Sequence, residues 1–204
     1  MDGFIIRYSI LDSTICLLIL FNDFIQLWLG QEYLFEFNVV IILVIAFYIK
    51  GMRRAVLTFR DATGNFYYDR YKPIFEAIIN LIVSIILARK IGVAGVFLGT
   101  IISTVTTSLW VEPYVLYKYV FKEKVYKHLI KLAIYTCIGI VACIPTYLIC
   151  SAINQVSILG IIVKLLICLI VPNVIYIFVF RNTEEYKYFK ELIFKILRKI
   201  KNRG

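Results

Sequence analysis

Lys50, Arg53 and Arg54 stand three and four positions apart at the end of one long apolar segment. That spacing gathers all three on a single helix face. Three like charges in an apolar setting require an anion, and guanidinium pairs bidentately with the oxygens of a phosphate or diphosphate. A second reading makes the same residues a basic flank in the headgroup region, beyond a span that ends near Ile49. The uninterrupted apolar part, residues 39–49, is too short to cross a bilayer, which needs about 20 residues. For the flank reading, residues 55–59 fit an interfacial turn. Both readings stand on the sequence.

Other polar groups fall inside apolar segments, where charge is costly and usually faces a cavity or a partner. Glu76 and Asn80 are one helical turn apart. They suit hydrogen bonding to a sugar, pairing with an arginine, or a purely structural clamp between helices. Thr100, Ser103, Thr104, Thr106, Thr107 and Ser108 crowd the next segment; small hydroxyl residues either line a watery path or allow close packing. Glu112, followed by Pro113, either balances an arginine or exchanges a proton or Na⁺ in coupled transport. Asp12 and Asp23 carry the same ambiguity. Gly95 and Gly99 form a small-xxx-small pair suited to tight helix packing.

No catalytic constellation accompanies these groups. His128, the single histidine, lies among lysines without a paired nucleophile, and no GxxxxGK[ST] phosphate loop is present. The five cysteines, Cys16, Cys137, Cys143, Cys150 and Cys168, form no CxxC or Cys/His pattern. The expectation is a protein that is not an enzyme and has neither cofactor nor metal.

The elements that must position these residues follow from composition. Of 204 residues, 61% are hydrophobic and 18% charged, and the mean hydropathy is +0.85. Soluble domains carry about 45–50% apolar and about 25% charged residues, so this excess must be covered by lipid or other helices. The apolar runs are long, as membrane helices require, rather than short and alternating as in a β-barrel. Six spans are predicted, at about 10–29, 37–59, 73–90, 93–118, 129–149 and 158–180. No cleavable leader is expected, because the first run is of spanning length and lacks a small-residue cleavage site.

The net charge of +10 is unevenly placed. With six spans, and with Lys50, Arg53 and Arg54 counted on the side where the second span ends, alternate sides of the membrane receive 20 and 2 lysines and arginines, and Lys164 lies within the last span. The positive-inside rule then puts both termini in the cytoplasm. The basic residues read as contacts to anionic membrane lipids rather than to nucleic acid. In the tail, residues 181–204, an apolar stripe of Phe189, Ile193, Ile196, Leu197 and Ile200 opposes lysines and arginines. It predicts an amphipathic helix on the inner leaflet.

Residues 22–34, NDFIQLWLGQEYL, and the long stretch from GMRRAVLTFRDATG through YVFK at 122 resemble bacterial polysaccharide flippases. These are the Wzx-like (O-antigen and capsule) members of the multidrug/oligosaccharidyl-lipid/polysaccharide exporter superfamily. The most specific part is Asp69-Arg70-Tyr71-Lys72-Pro73, then Glu76 and Asn80, then Gly92, Gly95, Gly99 and Thr100. Residues 20–122 carry the resemblance closely; the last two helices share only its pattern. It implies an all-α membrane protein whose six transmembrane helices form one lobe, the C-terminal one, of a two-lobe transporter. It also implies a bacterial plasma (inner) membrane location and transport of undecaprenyl-pyrophosphate-linked oligosaccharide between leaflets. The diphosphate-binding role would fall on Lys50, Arg53 and Arg54, and less directly on Arg60 or Arg70. The chain carries one lobe's worth of helices, so a separate N-terminal six-helix lobe is the expected partner, or the chain is a fragment. Two rival readings are a multidrug exporter half of the same superfamily and a non-transporting scaffold in envelope polysaccharide synthesis.

Overall fold

The computed structural model describes residues 2–64, 66–153, 156–184, 186–188, 190–191 and 195. The described residues are helical and form no strand. Among the described residues seven α-helices run in order: α1 Asp2–Trp28, α2 Phe37–Thr63, α3 Lys72–Ile91, α4 Val93–Thr106, α5 Ser108–Val115, α6 Tyr126–Ser151 and α7 Ile158–Phe180. The apolar stripe expected in the tail lies outside the described residues.

Among the described residues four helical rods are long and apolar enough to cross a bilayer: Gly3–Trp28, Val93–Phe121, Tyr126–Ser151 and Ile158–Phe180. That marks a membrane protein. The surface agrees: Leu81, Leu148, Leu159 and Phe178 are each more than 60% exposed, the reverse of a water-facing surface. α2 and α3 are long enough, with 27 and 20 residues. They fall short on charge, α2 through Lys50, Arg53 and Arg54, and α3 through Lys72, Glu76, Arg89 and Lys90. The two helices that miss the criterion are therefore the two that carry most of the candidate site.

Several boundaries differ from the sequence expectation. α1 starts eight residues before Ile10 and α2 continues to Thr63. The expected fourth span is one rod in three parts. α4 gives way to α5 at Thr107, whose hydroxyl, like that of Thr106, bonds back to the Ser103 carbonyl, at 2.6 and 3.1 Å. Such back-bonding competes with the helix ladder and bends it. Pro113 then removes one ladder donor, and a π-helical turn follows at Leu116–Phe121. Gly64 ends α2 in the left-handed region at φ 64°, and Ser157 caps α7 by accepting from the Gly160 amide at 3.0 Å.

α1 is the hub and packs on α2, α6 and α7. Gly51 of α2 lies against Ile10, and Gly139 of α6 against Leu11; removing a side chain at each point lets two neighbours press on adjacent residues of α1. Phe4, Leu11, Ile15, Met52, Tyr135, Ala142, Tyr176 and Phe180 form the core cluster. On the other flank α2 packs on α4 and α5, and α3 lies outermost, held mainly by α4. The α3–α4 contact is very close. A Cβ at Gly95 would sit 2.3 Å from the Leu87 carbonyl carbon, and one at Gly99 2.8 Å from the Ser84 Cα.

Candidate functional site

Four charged side chains meet where α2, α3 and α5 converge. Arg53 reaches Glu112 with two parallel donors, Nε to Oε2 at 3.0 Å and Nη2 to Oε1 at 2.7 Å. Its third donor, Nη1, contacts Glu76 Oε1 at 3.1 Å. Lys72 Nζ pairs with Glu112 Oε1 and stands 3.8 Å from Glu76 Oε2. Glu76 also accepts from Ser108 Oγ at 2.6 Å and Thr104 Oγ1 at 3.2 Å. Glu112 is completely buried, Lys72 nearly so, and the Arg53 side chain is 15% exposed.

Local sequence explains how the cluster is aimed. Lys72 and Glu76 are one turn apart at the start of α3, and Ser108 and Glu112 one turn apart on α5, so each pair shares a face. Thr104 and Ser108 come from either side of the bend at Thr107, which turns both hydroxyls towards Glu76. Two cations meet two carboxylates, so the buried charge sums to zero. Glu112 is held by a bidentate arginine and a lysine, and Glu76 by that arginine and two hydroxyls, which satisfies the geometric condition for burying charge.

The structure separates the three cations of α2. Arg53 turns inward, whereas Lys50 and Arg54, one turn apart, are exposed. The spacing places the three within an arc of about 100°, and α3 and α5 cover only one edge of it. Among the described residues Lys50 and Arg54 have no ion-pair partner. Arg60 is engaged elsewhere: it binds buried Asp69 at 2.6 Å and lies over the Phe66 ring, tying down the α2–α3 connection. Arg70 is exposed, with its guanidinium 4.7 Å from both the Tyr67 and Tyr71 rings. Asn80 accepts from Ser84 Oγ at 2.8 Å, beside the close α3–α4 contact. Glu76 and Glu112 both do what one of their sequence readings allowed, which is to balance an arginine of α2.

Lys72 falls one residue before the span expected at about 73–90 and is not among the site residues expected from the sequence. Its signal was present in the four-residue spacing to Glu76. A second charged pair joins α1 to α7, Asp23 Oδ2 to Lys164 Nζ at 2.5 Å. Nearby on the same seam, Asn173 donates to Asp12 Oδ1 at 3.1 Å and accepts from the Tyr8 hydroxyl. Arg7 Nη2 lies 3.2 Å from His128 Nδ1. Among the described residues no group of three His, Cys, Asp or Glu side chains is placed to hold a metal ion. Comparison with known proteins finds no matching family model, no matching curated protein and no matching solved structure.

Proposed function

We propose that this chain is one lobe of a bacterial inner-membrane exporter that moves lipid-linked oligosaccharide between leaflets, with Lys50 and Arg54 meeting the diphosphate of the lipid carrier. The observation that carries the reading is the contrast on α2. Arg53 is neutralised by its own carboxylates, while Lys50 and Arg54, on either side of it in sequence, are exposed on a helix otherwise apolar enough to lie in the bilayer. Exposed charge in that setting is costly unless it meets a counter-ion or water. A diphosphate supplies several acceptor oxygens for an ammonium and a guanidinium together.

In this reading six helical rods, with α4, α5 and the π turn counted as one, make up the lobe. Both termini face the cytoplasm, and a second six-helix lobe closes the cavity over Lys50 and Arg54. The quartet of Arg53, Lys72, Glu76 and Glu112 fixes α2 against α3 and α5, so that the exposed pair is held at a set position. Transport then proceeds by rocking of the two lobes about the bound headgroup. The neutrality of the quartet favours one rival, a scaffold whose buried charges serve helix clamping alone.

Binding to the purified full chain in nanodiscs separates the two. Undecaprenyl diphosphate binds at least tenfold more tightly than undecaprenol, and the K50A/R54A double variant loses that difference, since charged hydrogen bonds are each worth about 1.5–3 kcal/mol. Equal binding of the two lipids, or an unchanged double variant, sinks the exporter reading and leaves the scaffold.

A further inference from the structure

A second feature lies on the other side of α2 and is independent of the exporter reading. α1 packs against both α2 and α6, but α2 and α6 splay apart above it and leave a cleft of about 550 Å³. Leu11, Ile15, Ile45, Ile49, Ile140 and Cys143 are among its lining residues. Its few polar atoms are already satisfied: Tyr48 and Thr136 bond each other across one end at 2.7 Å, and Thr14 Oγ1 bonds the Ile10 carbonyl. Towards the other end Phe37 meets Tyr147, with ring centroids 6.1 Å apart. Ile45 and Ile140 are 43% and 56% exposed, so the cleft opens sideways between the helices.

Length and polarity indicate the occupant. The α2 lining runs from Ile41 to Ile49, about 12 Å at about 1.5 Å per residue. The walls are almost wholly apolar and the cleft opens sideways, which suits a hydrocarbon chain entering from the bilayer. The length is close to the hydrocarbon depth of one leaflet, about 15 Å, being half of about 30 Å.

Charge chooses the class of lipid. Arg7 lies one turn before Leu11, at the Tyr48–Thr136 end, with Lys131 and His128 of α6 on the same side. Arg7 contacts His128 and the face of Tyr135, has no carboxylate partner among the described residues, and keeps a buried Nε without a hydrogen-bond partner. At the far end an acidic residue, Glu36, precedes Phe37 in the chain.

The geometry points to a resident anionic phospholipid: one acyl chain lies in the α1–α2–α6 cleft and its phosphate sits at the Arg7 end. The full chain, released for native mass spectrometry from vesicles of equal phosphatidylglycerol and phosphatidylcholine, retains one phosphatidylglycerol, preferred roughly fivefold for the one added cationic contact. Ile140→Trp fills the cleft and abolishes retention, whereas Ile130→Trp, an equally bulky change at an exposed site of α6 outside the cleft, leaves it intact. Arg7→Gln keeps a lipid but loses the preference. A measurement on the unaltered chain guards against misfolding of the variants. Cys143, inside the cleft, reacts with a bilayer-soluble maleimide more slowly in phosphatidylglycerol than in phosphatidylcholine, while exposed Cys137 reacts alike in both. No retained lipid, no preference between headgroups, retention surviving Ile140→Trp, equal Cys143 rates, or a second copy of the chain displaced by Ile140→Trp would each overturn the assignment.

Discussion

Glu112→Gln isolates the energetics of the buried quartet. Glutamine keeps the shape of the side chain and removes its charge, so Arg53 and Lys72 are left facing Glu76 alone, and the cluster passes from neutral to one net positive charge. Glu112 is wholly buried and accepts from Arg53 at 2.7 and 3.0 Å, so solvent cannot take its place. Removing one partner from a buried, hydrogen-bonded charge pair costs about 3–5 kcal/mol. Adding Lys72→Met restores neutrality, because Arg53 and Glu76 remain paired at 3.1 Å. The double variant is therefore more stable than the sum of the two single losses predicts, by about 1–3 kcal/mol, the usual coupling within one charged network. Unfolding by sodium dodecyl sulfate in mixed micelles, followed by tryptophan fluorescence, reads this out; Trp110 stands two residues before Glu112 on α5. A loss below about 1 kcal/mol for Glu112→Gln, or strict additivity in the double variant, would refute the picture of a balanced buried network.

Two further perturbations test the frame that holds the site. Gly99→Ala drives a methyl group into the Ser84 backbone, where the built Cβ would lie 2.8 Å from both Cα and N; overpacking of this kind costs about 1–3 kcal/mol, and an unchanged unfolding midpoint would show that the α3–α4 contact is looser than described. Asp23→Asn strands the Lys164 ammonium between α1 and α7 and lowers stability by about 3 kcal/mol. Lys164→Met in the same chain recovers most of it, and a double variant as unstable as the single one would contradict the pairing.

The contrast between Lys72 and Arg53 shows how far sequence reasoning reached. Lys72 and Glu76 are four residues apart, and so are Ser108 and Glu112; helix geometry makes such pairs neighbours before any tertiary contact forms. The Arg53–Glu112 pair joins residues 59 apart in sequence, and the Lys164–Asp23 pair joins residues 141 apart. No local periodicity encodes those separations. The expectation that Lys50, Arg53 and Arg54 act as one stripe was sound as helix geometry. It missed that a neighbouring element covers one edge of a 100° arc, burying Arg53 and leaving Lys50 and Arg54 exposed.

By itself the sequence determined that the chain is helical and membrane-bound, because long apolar runs admit few other solutions in lipid, where every backbone donor must be satisfied within its own segment. It also located the polar residues inside those runs and the glycines that let helices approach. Tertiary structure alone decided which charge meets which, that Glu112 is sealed from solvent, and that α2 and α6 part around α1 to leave an apolar cleft. Helix formation depends on residues a few positions apart, whereas pairing and cavities depend on how whole rods cross. The crossing is set by close contacts such as Gly51 on Ile10 and Gly139 on Leu11, whose partners cannot be read along the chain.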